Sequence, residues 1–387
     1  MESRGLRVAA VVIHLLQAAG HAAYLVGGCV RDLLLGRVPK DFDVATSARP
    51  DAVMALFGRA FGVGAHFGVV LVPVEVDGAE IVIEVATFRS DGAYSDGRRP
   101  DKVQYTDSPE HDVERRDFTI NGMLLDIDRY LSDGSPDEAV LDFVGGRADL
   151  AAGLVRAIGD PMRRFKEDKL RMLRAVRFAA RFGFVIEPET FAAIQVMAHE
   201  IGQVSRERTR DELTRMLTEG RAADAFNMLQ ASGLLAQVLP EVAAMRGVEQ
   251  PPEWHPEGDV WVHTLLLLEK LPAGCSSTLA WGALLHDVGK PPTFVRADRI
   301  RFNGHAEVGT RMAAAICRRL RFSNEETEQI LSLVANHMRF GDVERMKEST
   351  LKRFFRLPRF EEHLELHWLD CTSSHNRLGL YEFAKSR

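Results

Sequence analysis

Between residues 25 and 44 the chain reads Leu25-Val-Gly-Gly-Cys-Val-Arg-Asp-Leu-Leu-Leu-Gly36 and then Asp41-Phe-Asp-Val44. A glycine pair that ends a strand and opens a helix lets backbone N–H groups approach a polyphosphate with no Cβ in the way, and the helix N-terminus favours its charge. Gly27 and Gly28 hold that place, and Arg31, one turn on, is positioned to pair with a phosphate. Asp41 and Asp43 stand two apart, which on a strand puts both carboxylates on one face while Phe42 and Val44 point into the core. Carboxylates so placed suit two Mg²⁺ ions about 3.5–4 Å apart. A third is expected from a neighbouring strand, and Glu84 in Glu84-Val-Ala-Thr-Phe-Arg89 is the candidate. Either piece alone is usually a plain turn or a solvated strand end. Together, in strand, turn, helix, strand order, they point to a nucleotide site with metal ions.

A second concentration of ligand-type residues lies towards the other end. Eight of the thirteen histidines follow residue 250, among them His263, His286, His305 and His337, with Asp287 directly after His286 and Asp370 further on. Neutral imidazoles with carboxylates suit a divalent transition metal that activates water. Single histidines are more often core or surface residues; six ligand types together are not.

The elements that must carry these groups follow from the rest of the sequence. At 387 residues, two or three domains are expected, and 46% hydrophobic with 27% charged residues excludes a disordered or fibrous chain. Arg4 and Arg7 ahead of an uncharged stretch imitate a secretory signal, but the stretch divides into an amphipathic helix over about 7–18 and a strand, Ala23 to Val26. No run is long enough for a membrane span. Cys29, Cys275, Cys317 and Cys371 do not pair by spacing and read as thiols of a reducing cytoplasm. Val69 to Val76 and Glu80 to Val85, split by Asp77-Gly78, predict a hairpin, and the polar stretch Ser90 to Pro100 predicts a loop. From about residue 146 the period becomes helical, with one helix expected from Asp160-Pro161 through Arg181, kinked if not straight. The fold class is therefore α+β at the front and all-α behind.

Five segments together resemble the bacterial class II CCA-adding tRNA nucleotidyltransferases and their poly(A) polymerase relatives. They are Leu25 to Gly36, Asp41-x-Asp43, Arg115-Arg-Asp-Phe-Thr-Ile-Asn121, Asp142-x-x-Gly-Gly146 and Glu167-Asp-x-x-Arg171. The resemblance implies a polymerase-beta-like nucleotidyltransferase head with a five-stranded mixed sheet over 1–145, a helical neck and body over 146–250, and a last domain over 251–387. It implies that Asp41 and Asp43 hold Mg²⁺, that Arg116, Asp117 and Asn121 contact the nucleotide, and that 142–146 is a hinge. Where the family commonly has Ala, Gly122 stands, a change expected to leave the site intact. It also makes Asp168 and Arg171, three apart on one helix face, the template for the incoming base. A carboxylate only accepts and a guanidinium only donates, so the pair suits cytosine and adenine, which present an amino donor beside a ring acceptor, and rejects uracil and guanine. The Asp91 to Pro100 loop is the expected lever between C and A.

From 146 to 182 the chain carries ten Lys/Arg against four Asp/Glu, so the formal charge of −6 conceals a basic segment. Arg174 and Arg177, with Arg171 and Arg181, repeat along one face and are expected to contact nucleotide or the tRNA acceptor end; a solvated face is the plainer alternative. Lys352-Arg-Phe-Phe-Arg356 is a second basic and aromatic cluster, explained equally by core aromatics with exposed charges.

The histidine-rich end resembles the HD phosphohydrolase superfamily, which implies that His263, His286, Asp287 and Asp370 hold a metal, with His305 and His337 binding a second metal or phosphate. The expected function is addition of CCA to tRNA from CTP and ATP in the cytoplasm, with a phosphatase or 2′,3′-cyclic phosphodiesterase activity at the HD site. Two alternatives stand beside it: a poly(A) polymerase or A-only-adding enzyme, disfavoured by Gly64 to Val70, which resembles the CCA-adding form, and an HD nucleotide phosphohydrolase with an inactive head.

Overall fold

The computed structural model describes residues 4–63, 68–76, 78–92 and 103–387. Residues 64–67 of the Gly64 to Val70 segment, Asp77 of the hairpin turn, and 93–100 of the expected lever loop lie outside the described residues. The chain forms two compact units, one of residues 1–171 with 185–193 and one of 172–184 with 194–387.

The first unit is built on a seven-stranded sheet. Its strands are β1 (Ala23–Val26), β2 (Asp43–Thr46), β3 (Phe61–Gly62), β4 (Val69–Val76) and β5 (Ala79–Thr87), then, after the separate β6 (Arg89–Asp91) and β7 (Val103–Tyr105) ribbon, β8 (Met123–Leu125) and β9 (Val140–Asp142). Their order is β3-β4-β5-β2-β1-β8-β9. Five strands expected from family likeness become seven because two short edges, β3 and β9, extend β4-β5-β2-β1-β8. The sheet is mixed, since β2 and β5 run parallel while β1 pairs antiparallel with β2 and β8. The β4–β5 hairpin forms as its β-branched alternation requires, with Gly78 at φ +73°. Helix Arg4–Ala18 buries Leu6, Ile13 and Leu16, so the signal-like stretch is a packed helix and a central strand.

The helix expected over 160–181 is two. Asp160 caps the first by accepting from the Arg163 N–H, and Pro161 takes its first position. That helix ends at Glu167, Asp168 adopts an extended conformation, and a second helix runs Leu170–Phe182. Asp168 accepts from the Leu170 N–H at 3.0 Å, which satisfies a free donor at the new helix start.

The second unit is all-helical apart from a two-stranded ribbon at 295–301. Helix Asn324–Asn336 packs on both Ser277–Leu285 and His305–Arg319, and Val260–Glu269 and Phe360–Ser373 pack on Ser277–Leu285. The helix Ser277–Leu285 is buried on all sides from Thr278 onward, in keeping with its apolar run Leu279 to Leu285. Near the end of the chain, Phe354 is buried among Phe340, Phe355 and Phe360 while Lys352 is exposed beside Glu348. The second basic cluster is thus a core of aromatics with charges outside.

Candidate functional site

In the head, the ladder sets the geometry. Val26 pairs with Asp43, which brings the end of β1 and its glycine turn beside the carboxylate, and Asp43 pairs with Glu84 across β2 and β5. Phe42 and Val44 are buried, so alternation turns Asp41 and Asp43 to the opposite face. Asp41 sits just ahead of β2 rather than within it. Burial, the Glu84 charge and the Asp41 charge push the Asp43 carboxyl up to about 6, with Arg116 opposing. Such uncompensated negative charge on oxygen donors suits a hard divalent cation. The three carboxylates are spread too widely for one tight ligand set, since among the described residues every group with ligand atoms within 4.8 Å lies in the second unit.

Gly27 has φ +78°, and a Cβ there would point between Arg116 Nη1, at 3.5 Å, and Asp43 Oδ2, at 4.0 Å. The glycine keeps the space between cation and carboxylate open, where a phosphate would meet Arg116 directly and Asp43 only through a metal cation. Arg31 is buried and donates to Asn121 Oδ1 and Asp32, and Asn121 Nδ2 donates in turn to Asp117 at 3.2 Å. Arg31, Asp117 and Asn121 therefore form one network. Arg116 donates to the fully buried Asp112 at 2.9 Å, and its Nε is buried with no partner. Asp112 also accepts from Arg115 and from the Arg89 N–H. Burial works against the Asp112 carboxylate, but the two guanidiniums outweigh it and hold the group below its usual range. Sequence reading missed Asp112, whose spacing from Arg115 and Arg116 is that of any surface helix pair.

The segment 117–119 bonds to 156–158, with Ile158 N–H donating to Asp117 and Thr119 N–H to Arg156. Asp142 accepts from the N–H groups of Val144, Gly146 and Arg147, so the expected hinge is the cap of helix Gly146–Ala152. Gly146 lies against Thr119: a Cβ would sit 2.3 Å from its carbonyl oxygen. At Gly122 a Cβ would come 2.9 Å from both Ile158 and Val144. The missing methyl is therefore not simply vacant space, because neighbours have closed on it.

The template pair is differently disposed from expectation. Asp168 lies between helices, so it does not share a helix face with Arg171. Arg171 donates to Glu167 at 2.9 Å, to the Arg164 carbonyl at 3.1 Å and to the Arg115 carbonyl at 3.1 Å. Glu167 also takes Arg164 at 2.8 Å. A cavity of about 690 Å³ opens beside this cluster, lined by Arg115, Thr119, Ile158 and Arg164 among others, but Asp43, Glu84 and Asp168 do not line it. The carboxylate ladder therefore lies apart from this cavity's lining.

Within the second unit Arg177 is buried, donates to Glu212 at 2.6 Å and lies 3.6 Å from Glu219, which Arg181 also faces at 3.6 Å. Arg177 is thus an internal ion-pair residue, which corrects the expectation of a continuous basic face. Arg174 lies over the Phe178 ring.

The histidine centre gathers all six expected residues. His263 Nε2 is 3.1 Å from Asp370 and 3.3 Å from His286 Nε2, which is 3.2 Å from Asp287 Oδ2. On the other oxygen of Asp287 lie His305 and His337, at 3.6 and 3.8 Å, with their Nε2 atoms 3.2 Å apart. Two ligand groups, His263/His286/Asp370 and Asp287/His305/His337, therefore flank one carboxylate. The histidines sit at helix ends or one turn in, and His286 and Asp287 follow helix Ser277–Leu285 rather than lying within it. His286, His305 and His337 each turn Nδ1 to the carbonyl three residues back, at 2.7–2.9 Å, which fixes Nε2 as the inward atom. Gly289 holds the turn against the next helix, where a Cβ would meet the His305 carbonyl at 2.1 Å.

Burial disfavours the His263 imidazolium, but Asp370 and Glu257 overcome this and push its pKa up to about 9. Burial with the His286 charge takes His337 down to about 4. Burial would raise the Asp287 carboxyl, yet Lys290, His286 and His263 hold it well below its usual range. A pocket that favours a cation at His263 and neutral Nε2 atoms opposite fits a divalent metal. Sequence reading missed Glu257, which accepts from His263 Nδ1 at 2.8 Å, and gave no role to Lys290, 2.7 Å from Asp287.

Comparison with known proteins finds three matched segments. Residues 23–156 match the Poly A polymerase head domain, 183–246 the probable RNA and SrmB-binding site of polymerase A, and 260–367 the HD domain. The chain is similar to the CCA-adding enzymes of Bacillus subtilis (43% identity over 55% of this chain and 50% of that one) and Geobacillus stearothermophilus (42%, over 60% and 54%). These matches span about half the length of the curated relatives. Among solved structures, a Bacillus stearothermophilus CCA-adding enzyme in complex with CTP aligns over 100% of this chain and 82% of its own, with a TM-score of 0.72 and 26% identity. A CCA-adding enzyme complex with ATP aligns with a TM-score of 0.64 at 18% identity, a likeness of fold. The chain is thus similar to CCA-adding enzymes, and its segments match in turn a poly A polymerase head domain, an RNA-binding segment and an HD domain.

Proposed function

We propose that the protein adds CCA to tRNA 3′ ends without a nucleic-acid template, using CTP and ATP in the cytoplasm, and hydrolyses phosphate esters at its histidine centre. The observation that carries this reading is the cross-strand pairing of Asp43 with Glu84, beside Asp41 and under Gly27 and Arg116. Residues 1–145 serve as the transferase head, 146–250 as neck and body for RNA and nucleobase, and 251–387 as the HD domain.

Two Mg²⁺ held by Asp41, Asp43 and Glu84 would, when bound, activate the tRNA 3′-hydroxyl for in-line attack on the α-phosphate and stabilise departing pyrophosphate. The protein's own groups supply the positioning. Gly27, Gly28 and Arg116 receive the triphosphate, while Arg31 holds Asn121 and Asp117 for the ribose. Asp168 accepts the exocyclic amino group of cytosine or adenine. Arg171, its plane fixed by Glu167 and two carbonyls, keeps Nε–H and one Nη2–H for the ring acceptor. Arg174 is read as a further nucleotide contact, whereas Arg177 is committed to Glu212.

A divalent transition metal between His263, His286, Asp287 and Asp370, with His305 and His337 opposite, would supply an activated water for phosphatase or 2′,3′-cyclic phosphodiesterase turnover. CCA addition is preferred to poly(A) synthesis because the relatives that match are CCA-adding enzymes.

The test gives purified protein a tRNA ending before CCA, with Mg²⁺ and CTP or ATP singly and together. The expected products are two added C residues with CTP alone and complete CCA with both. Long A tails would establish the polymerase reading, and no addition beside active phosphoester hydrolysis would establish the HD enzyme with an inactive head.

A further inference from the structure

We propose that Glu257 is a positioning residue for the His263 side of the histidine centre and makes that side the tighter of two metal positions. The inference rests on the reading of the centre as a metal site.

The four imidazoles are not held alike. His286, His305 and His337 each use the carbonyl three residues back for Nδ1. At His263 that carbonyl, on Val260, is taken by the Thr264 hydroxyl at 2.8 Å. Its Nδ1 turns instead to Glu257 Oε1, at 2.8 Å, which also accepts from His255 Nδ1 at 2.9 Å. The His255 ring packs edge-on against His263, with centroids 4.8 Å apart. Glu257 is mostly buried, and its second oxygen is buried with no partner. A full negative charge outside the imidazole makes it a better donor and fixes its ring more firmly than a carbonyl dipole does.

Charge around the two groups differs in the same direction. The His263 group has Asp370 and, outside it, Glu257 in addition to its share of Asp287, against the one ammonium of Lys290 held by Gln250. The His305 and His337 group has only the other oxygen of Asp287, with the Phe302 and Val334 carbonyls outside. The first position therefore fills first.

The full chain, stripped of metal with a chelator, is titrated with Co²⁺ and followed by d–d absorption and calorimetry. Wild type is expected to bind in two steps of unequal affinity. Glu257→Gln weakens the first step by roughly 10- to 100-fold and leaves the second unchanged. Equal steps in wild type, an unchanged first step in the variant, or equal weakening of both steps overturns the proposal. Glu257→Asp and the helical signal guard against misfolding: if both variants lose the folded unit, Glu257 belongs to the fold alone and the proposal fails. Wild type that takes up no Co²⁺ instead refutes the metal-site reading beneath it.

Discussion

Asp43 and Arg171 show how single side chains divide the work of the head. Burial, with Glu84 and Asp41, raises the Asp43 pKa to about 6 against the pull of Arg116, so a bound cation would favour its ionised form. Arg171 is already satisfied on three sides, which makes it a rigid donor rather than a searching one. Asp168 is the acceptor half of the proposed template. Wild type is expected to prefer CTP over UTP by roughly 10⁴-fold, as sites built on buried hydrogen bonds do. Asp168→Ala should reduce that ratio to about 100-fold or less in competition assays, and an unchanged ratio would remove Asp168 from the template. In the second unit, His363 is buried against Ser332, and burial, with Arg339, takes its pKa down to about 4 against the pull of Glu362. A histidine kept neutral by folding stabilises above its unfolded pKa of about 6.5, and that stability drains as pH falls towards 4. Thermal melts from pH 7 to 4 should show this loss, and His363→Gln should flatten it; an equally steep profile in the variant would assign the acid sensitivity elsewhere.

Two glycines differ in what they hold, and elements rather than side chains explain why. A Cβ at Gly146 strikes a backbone oxygen of the Thr119–Asn121 turn, whereas one at Gly122 meets the side chains of Ile158 and Val144. Overpacking typically costs about 1–3 kcal/mol, with the backbone case at the upper end. Gly146→Ala should therefore lower the melting temperature more than Gly122→Ala and slow nucleotide addition by displacing Asn121; the reverse order would contradict the packing argument. The same contrast marks what the sequence disclosed. The glycine turn, Asp43 and the β4–β5 hairpin were legible because each is a local pattern, and the six histidine-centre residues were legible through their likeness in order to the HD superfamily. The break at Asp168 was not, since Glu167 to Arg171 keeps helical periodicity and only the Leu170 N–H shows what Asp168 caps. Arg177 was misjudged because its partner, Glu212, is 35 residues away. Glu257 escaped because no helix or strand period links it to His263.

Over the whole molecule, two chemistries are carried by two compact units. In the proposed function the head joins phosphorus to a hydroxyl at carboxylate oxygens on a sheet, and the HD centre opens phosphate esters at imidazoles near helix ends. Their ligand sets share no residue, so Asp43→Asn should abolish nucleotide addition and leave hydrolysis of a nucleoside 2′,3′-cyclic phosphate intact, while Asp287→Asn should do the opposite. Loss of both activities in either variant would mean that the sites are misassigned. The most direct measurement is the 3′-end sequence of a tRNA lacking CCA after incubation with Mg²⁺, CTP and ATP, for wild type and Asp43→Asn side by side. Wild type should leave ends completed to CCA and no further, and the variant should leave them unextended. Unextended ends with wild type, or CCA still added by Asp43→Asn, would contradict it.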